Sequence, residues 1–290
     1  MDIVIITDSS CDLPLDYIRD AKVPFLGLVS NFKGNDYVED FGQTLSYKAF
    51  YDGVRNGEMP TTSQINSYRF FEAFEKHVKE NKSIIYLAFS SALSGTYNSS
   101  LIAKSEILEK YPDADITIID TRSASLGVGL IVYHAYEMLN NGCSKDEIIA
   151  WVEDNKLKVN HFFTVDDLNH LKRGGRISPT SAFVGTILDI KPILYVNDLG
   201  ELIPFTKVKG RKKAIRTLFD TFKDRVVNPE DQIIFISHGD CLDDALFLKS
   251  LIEREFKVKG FKINFVGQAI GSHSGPGILT LFFIGNNRSL

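Results

Sequence analysis

Four stretches gather hydroxyls and glycines in a pattern that suits ligand chemistry: Thr61-Thr62-Ser63-Gln64, Ser90-Ser91-Ala92-Leu93-Ser94-Gly95-Thr96, Asp120-Thr121-Arg122-Ser123-Ala124-Ser125, and Gly271-Ser272-His273-Ser274-Gly275-Pro276-Gly277. Each reads as a loop at a strand end. Hydroxyls beside free N–H groups at a helix N-terminus suit an oxyanion. The second and third stretches follow a strand pattern and precede a helical one. In an open parallel sheet that is where ligands bind. Ser and Thr also cap helices with no ligand present. Four such stretches in one chain favour a ligand over capping alone, but spacing does not by itself bring them together.

Arg173-Gly174-Gly175-Arg176-Ile177 follows a short helical segment, Asp166 to Lys172. The glycine pair permits a positive φ and a helix stop. The two arginines suit a carboxylate, a phosphate or an interdomain staple. Lys207 to Lys213 is a basic run, either a solvated face or a docking surface for an acidic partner. Several familiar arrangements are missing. Gly127-Val128-Gly129 lacks the third glycine of a dinucleotide fingerprint and sits in a helical pattern, so it reads as a packing site. There is no P-loop, and His273 stands where a nucleophile elbow needs serine. The six histidines show no metal spacing. His134 reads as an ordinary core or surface histidine, and His238 as bonding a turn.

The elements that must position these residues follow from hydrophobic periodicity. Ile3–Thr7, Val23–Phe32, Ser83–Phe89 and Asp115–Asp120 read as extended. Ser46–Val54, Tyr68–Val78, Asn98–Leu108 and Leu126–Leu139 read as helices, and Ser144 to Glu147 is a capping box opening another. Strands alternating with helices predict a parallel sheet. After Lys158 the pattern changes. Ile193–Val196 and Leu202–Val208 flank Asn197-Asp198-Leu199-Gly200 as a hairpin. Lys213–Val226 and Asp243–Phe256 read as helices, and Gln232–Ser237, Phe261–Val266 and Ile278–Ile284 as strands. The expected architecture is α/β in two closely packed domains: residues 1–157 with a mostly parallel sheet flanked by helices, and residues 158–290 with a mixed or antiparallel sheet and helices.

The 290 residues carry 33 Lys+Arg against 37 Asp+Glu, a net charge of −4 that argues against nucleic acid or anionic membrane as the main partner. No apolar run is long enough to span a membrane, and Met1 to Pro14 lacks the basic start of a signal peptide. Three dispersed cysteines without a CxxC fit a reducing cytoplasm rather than a disulfide or zinc framework. Nothing suggests a coiled coil or a self-pairing edge, so a monomer is expected. Twenty-one Phe against one Trp is an uneven aromatic usage, read as core with room for an apolar cavity lining.

In order along the chain, Thr7-Asp-Ser-Ser10, Thr61-Thr-Ser-Gln64, Leu93-Ser-Gly-Thr-Tyr97, Asp120-Thr-Arg-Ser-Ala-Ser125, Phe162-Phe-Thr-Val-Asp-Asp-Leu168, Leu171-Lys-Arg-Gly-Gly-Arg-Ile177, Lys191-Pro-Ile193 and Gly271-Ser-His-Ser-Gly-Pro-Gly277 resemble the DegV family of bacterial fatty-acid-binding proteins over essentially the whole chain. One departure is visible: Ile65 stands where the family usually has proline after Thr-Ser-Gln.

The resemblance implies one long-chain fatty acid in an apolar tunnel, with its carboxylate near the domain interface. It implies no metal and no cofactor beyond the bound acid. It implies a separate ATP-dependent fatty acid kinase that makes acyl phosphate for phospholipid synthesis. The carboxylate contacts match Thr62, Ser94 and His273, with Ser63, Gly95, Thr96 and Ser125 in support, and Arg173 and Arg176 match a kinase-docking surface. Burying a ~16-carbon chain at ~0.8 kcal/mol per CH₂ gives on the order of 10 kcal/mol before association costs. The head group must then be hydrogen-bonded. None of the three matched contacts is an arginine, and neutral donors would leave a carboxylate oxygen open to phosphorylation. Phe70, Phe71, Phe74, Phe162, Phe163 and Phe183 are candidate tunnel walls, each otherwise ordinary core. The rival readings are a serine-type hydrolase or acyltransferase using Ser94 or Ser9 with His273 and an Asp, and a small-molecule sensor or interaction protein.

Overall fold

Apolar runs with little alternation form strands covered on both faces, and the chain begins with such a run. The computed structural model describes residues 1–178 and 189–289. In chain order the elements are β1 Ile3–Asp8, α1 Leu15–Asp20, β2 Phe25–Leu26, β3 Val29–Phe32, β4 Asn35–Val38, α2 Tyr47–Arg55, β5 Thr61–Ser63, α3 Ser67–Lys79, β6 Ser83–Ala88, α4 Thr96–Lys110, β7 Ile116–Asp120, α5 Leu126–Asn140 and α6 Lys145–Asn155. They continue with β8 Val159–Thr164, α7 Asn169–Arg173, β9 Ile190–Val196, β10 Leu202–Lys209, α8 Arg211–Arg225, β11 Ile233–His238, α9 Leu242–Glu255, β12 Gly260–Phe265, α10 Gln268–Ser274 and β13 Leu279–Ile284.

The fold is α/β. Strands β2-β1-β6-β7 form a parallel sheet, and β10-β9-β8-β13-β11-β12 form a six-stranded mixed sheet. Only β11 and β12 run parallel in the second sheet, joined through α9; its other pairs are antiparallel. A small antiparallel sheet, β4-β3-β5, projects from the first half. The capping box is present: the Ser144 hydroxyl accepts from Glu147 N, and the Glu147 carboxylate accepts from Ser144 N.

Helix α5 joins the two large sheets. It is apolar on nearly every side, as a helix buried all round must be, and nine of its residues are buried. Ile5, Leu87 and Ile119 of the parallel sheet share its core cluster with Phe235 and Phe282 of the six-stranded sheet. Gly127 and Gly129 make that approach possible. A Cβ at Gly129 would sit 2.5 Å from the Cys11 carbonyl oxygen, and one at Gly127 would sit 1.9 Å from His161 Nε2. The Gly-Val-Gly stretch is a packing site.

Two of the four hydroxyl-rich stretches are not loops. Thr61–Ser63 is a strand, with Thr62 opposite Ser30 of β3. Three polar residues at a sheet edge carry no alternation to reveal it. Gly271–Ser274 is helical. The Ser272 and Ser274 hydroxyls donate to the carbonyls of Gln268 and Ile270 four residues back, at 2.7 and 3.0 Å, so the helix satisfies its own hydroxyls. Gly275 and Gly277, at φ 73° and 80°, then end it. The helix expected from Asp166 starts only at Asn169, because the Asp167 carboxylate accepts from Asn169 N at 2.9 Å and turns the chain first.

Candidate ligand-binding site

The hairpin turn of β9 and β10 leans on the loops after β6 and β7. Ser90 Oγ donates to the Gly200 carbonyl at 2.9 Å, and Arg122 Nη1 donates to the Asp198 carbonyl at 2.9 Å. Buried Arg288 adds bonds to the Val159 carbonyl and the Ser123 hydroxyl, both 2.7 Å. Between these tied halves lies a cavity of about 190 Å³ whose lining is largely apolar.

Polar groups concentrate at the end of the cavity where β5, α7 and α10 meet. Thr62 Oγ1 and His273 Nε2 lie 2.7 Å apart, from opposite halves of the chain. Burial first, and the charge of Arg176 second, hold His273 down to about 4, so its ring is neutral near pH 7. One ring nitrogen then donates and the other accepts. A Cβ at Gly174 would fall 2.2 Å from His273 Nδ1, so α7 closes against the ring. Ser94 lies on the same wall, and its hydroxyl shares a 2.9 Å bond with Thr96 Oγ1. Gln64 packs over Gly95, where a Cβ would meet its Oε1 at 2.0 Å, and donates to Ser99 Oγ at 2.9 Å. Ile65 N donates to Thr96 Oγ1 at 3.4 Å, a bond that proline at this position could not make.

Thr62, Ser63, Ser94, Gly95, Ser125 and His273 therefore all line one cavity. Thr96 is buried behind it, bonded to Ser94 and Ile65. Ser125 is on the wall, but its hydroxyl is engaged by Asp12 and by Ser237 Oγ at 2.9 Å. Ser94 Oγ also accepts from Thr96 N at 3.3 Å, at the start of α4, whereas Ser125 makes no side-chain cap to α5.

The two arginines separate. Arg173 is exposed, held by Met59 Sδ at 3.4 Å and His170 Nδ1 at 2.9 Å. Arg176 is half-buried and lines the cavity, donating from Nε to the Leu93 carbonyl at 3.2 Å and from Nη1 to the Gly174 carbonyl. Of the two arginines, Arg176 thus lies in the cavity wall and Arg173 outside it. His238 meets its turn, as expected, with Nδ1 accepting from Cys241 N at 3.4 Å. His134 packs on Trp151, ring centroids 4.9 Å apart.

Most candidate phenylalanines are core. Phe70 and Phe74 pack on Tyr86, Phe71 joins that cluster from the edge, and Phe162 stacks on Tyr195. Phe163 lines the cavity; Phe183 lies outside the described residues. Phe89 and Phe282 were missed as lining, although Phe89 directly precedes the Ser90 stretch. His161 was also missed. Its strand, Val159–Thr164, is buried throughout yet also carries Asn160 and Thr164, so no apolar pattern singled His161 out.

Three buried carboxyls behind the cavity were missed as well. Asp8 accepts from Tyr86 Oη at 2.6 Å and from Phe89 N at 3.1 Å, which fixes the end of β6. Asp12 and Glu39 grip the start of α10. Asp12 accepts from Gly267 N at 3.0 Å, and Glu39 from Gln268 N and, at 3.3 Å, from Ala269 N. Burial pushes Glu39 up to about 7 and raises Asp12 and Asp8. So the helix that carries His273 at one end is anchored by two first-half carboxyls at the other. No group of residues that could hold a metal occurs among the described residues.

The hydrolase arrangement is not assembled. Ser94 bonds Thr96 and His273 bonds Thr62. Ser9 Oγ donates to Glu39 at 3.1 Å and accepts from Leu28 N at 3.0 Å.

The chain is similar to known proteins over nearly its whole length. A DegV domain-containing protein of Clostridium perfringens is 55% identical over 285 residues, covering 98% of each chain. Another, from Caldanaerobacter subterraneus, is 34% identical over 281 residues, covering 97% of this chain and 98% of the relative. Among solved structures, a Thermus thermophilus DegV family protein described for its fatty acid binding has a TM-score of 0.89 at 30% identity, covering 98% of this chain and all of that one. DegV of Bacillus subtilis, described as a fatty acid binding protein, has a TM-score of 0.83 at 29% identity, covering 99% of this chain and all of that one. Residues 2–286 match the family described as "Uncharacterised protein, DegV family", and the chain belongs to the DegV family.

Proposed function

We propose that this protein binds one long-chain fatty acid in the cavity between its two units, residues 1–157 and 158–290, and presents the carboxylate to a separate ATP-dependent fatty acid kinase for acyl phosphate formation. The carrying observation is the Thr62–His273 pair in the wall of a cavity whose lining is largely apolar. Thr62, Ser94 and His273 offer donors to a carboxylate, and Arg176 adds positive charge nearby. The apolar wall supplies the affinity: Phe89, Phe163, Phe282 and Ile278 remove methylenes from water, worth ~0.8 kcal/mol each. A buried carboxylate without these partners would cost more than the chain returns. In this reading the protein is a carrier, the phosphoryl chemistry belongs to the kinase, and no cofactor is needed. It works as a cytoplasmic monomer, without inserting in a membrane or binding nucleic acid.

Titration of delipidated protein with palmitate tests the proposal. One-to-one binding is expected, with Thr62→Val and His273→Ala each weakening it about tenfold, the loss of roughly one charge-assisted hydrogen bond. Unchanged affinity in both variants would remove these residues from the head-group site.

A further inference from the structure

His161 is 2% exposed and lines the cavity, yet neither ring nitrogen has a hydrogen-bond partner. The Val159 carbonyl, two residues back on the same strand, accepts instead from Arg288 Nε at 2.7 Å. Burial holds the ring neutral, with the charge of Arg288 acting in the same direction. A neutral imidazole has one donor and one acceptor. Leaving such groups buried and unpaired is unfavourable.

Its position is distinct from the head-group end. The Thr62, Ser94 and His273 cluster adjoins α7, which follows the Thr164 end of β8. His161 lies three residues further back along β8, about 10 Å at strand spacing. It pairs with Phe282 of β13, while Phe163 pairs with Thr280. Phe163, Thr280 and Phe282 all line the cavity with it. The His161 and Thr280 side chains are thus diagonal neighbours, about 7–8 Å apart at the backbone. Phe163, directly across from Thr280 on β13, shares the face of His161 and stands nearer the α7 end of β8.

We propose that His161, with Thr280 beside it, forms a second polar subsite for a hydrogen-bonding oxygen part-way along the acyl chain, as in a hydroxy or oxo fatty acid. This rests on the fatty-acid reading above and deepens it by naming the ligand class. Neither ring nitrogen is exposed, and Nε2 packs against Gly127 of α5, where a Cβ would sit 1.9 Å away, so the ring meets the chain only after turning. A half-turn about Cβ–Cγ exchanges each nitrogen for a carbon within the same outline. That brings a donor or an acceptor to the chain without moving the strand. A hydroxyl can meet either one.

The test is competitive binding of stearate against a positional series of monohydroxystearates on delipidated protein. Wild type is expected to favour one mid-chain isomer over stearate by about tenfold, the size of one buried hydrogen bond. His161→Phe should erase that preference, read as the ratio of hydroxystearate to stearate affinity in one protein so that a general loss of binding cancels, and His161→Gln should restore part of it. A flat positional series in wild type overturns the proposal whatever the variants do. So does a preference that survives His161→Phe, the outcome expected if a trapped water pairs with the ring. Stearate binding with a flat series rejects only this subsite, whereas failure of wild type to bind any of these acids rejects the fatty-acid reading too.

Discussion

Glu39, on the chain leading from the small sheet, accepts hydrogen bonds from the backbone N–H groups of Gln268 and Ala269, so a first-half carboxyl anchors the helix that carries His273. The contact is buried, and it holds one wall of the cavity in place from behind.

The anchor has a pH signature. Glu39 is held up to about 7 in the fold against an ordinary 4.5, chiefly by burial, with Asp8 adding to the rise. A carboxyl that keeps its proton longer when folded gives stability that is full below about 4.5 and lost as pH rises through about 7. Glu39→Gln removes that dependence and keeps one oxygen to accept from Gln268 N, while its NH2 replaces the oxygen that accepts from Ala269 N and Ser9 Oγ. The melting temperature of the variant minus that of wild type should therefore rise from pH 5 to pH 8. His134, His238 and His273, each held to about 4, act in the opposite sense but are common to both proteins and cancel. A constant or falling difference would contradict the assignment.

Gly129 tests the packing of α5. An alanine Cβ there would lie 2.5 Å from a backbone carbonyl, which cannot swing away as a side chain can. Overpacking of this kind costs about 1–3 kcal/mol, more than the ~1 kcal/mol that alanine returns in helix propensity. Urea denaturation of Gly129→Ala should show a lower midpoint than wild type. An equal or higher midpoint would mean that α5 is not pressed against the turn at Cys11.

Much of this architecture was legible in the sequence. The capping box at Ser144, the all-apolar α5 and the hairpin around Gly200 each carry a local physical signature. Thr61–Ser63 carries none: three polar residues become a strand only because β3 pairs with them. The helix at Gly271–Ser274 was hidden by its serines and glycines, which resemble a turn until the i−4 back-bonds are seen. The site residues Thr62, Ser94 and His273 came from a motif pattern, and their shared cavity needed the fold. The Asp12 and Glu39 anchor was not legible, because carboxyls are seldom buried and nothing local marks these two as exceptions.

Arg173 tests the proposed kinase docking separately from lipid binding. Its side chain is exposed and reaches Met59 and His170 rather than the cavity. Arg173→Ala should leave palmitate affinity unchanged while slowing turnover by the fatty acid kinase about tenfold, the usual size for a single docking charge. Normal turnover would take Arg173 off the docking surface.

The most direct test of the central claim is solvent extraction of freshly purified protein followed by mass spectrometry. The account predicts one long-chain fatty acid per protein molecule, reduced in the His273→Ala variant. A polar metabolite in its place, or no lipid from protein prepared under several growth conditions, would contradict it.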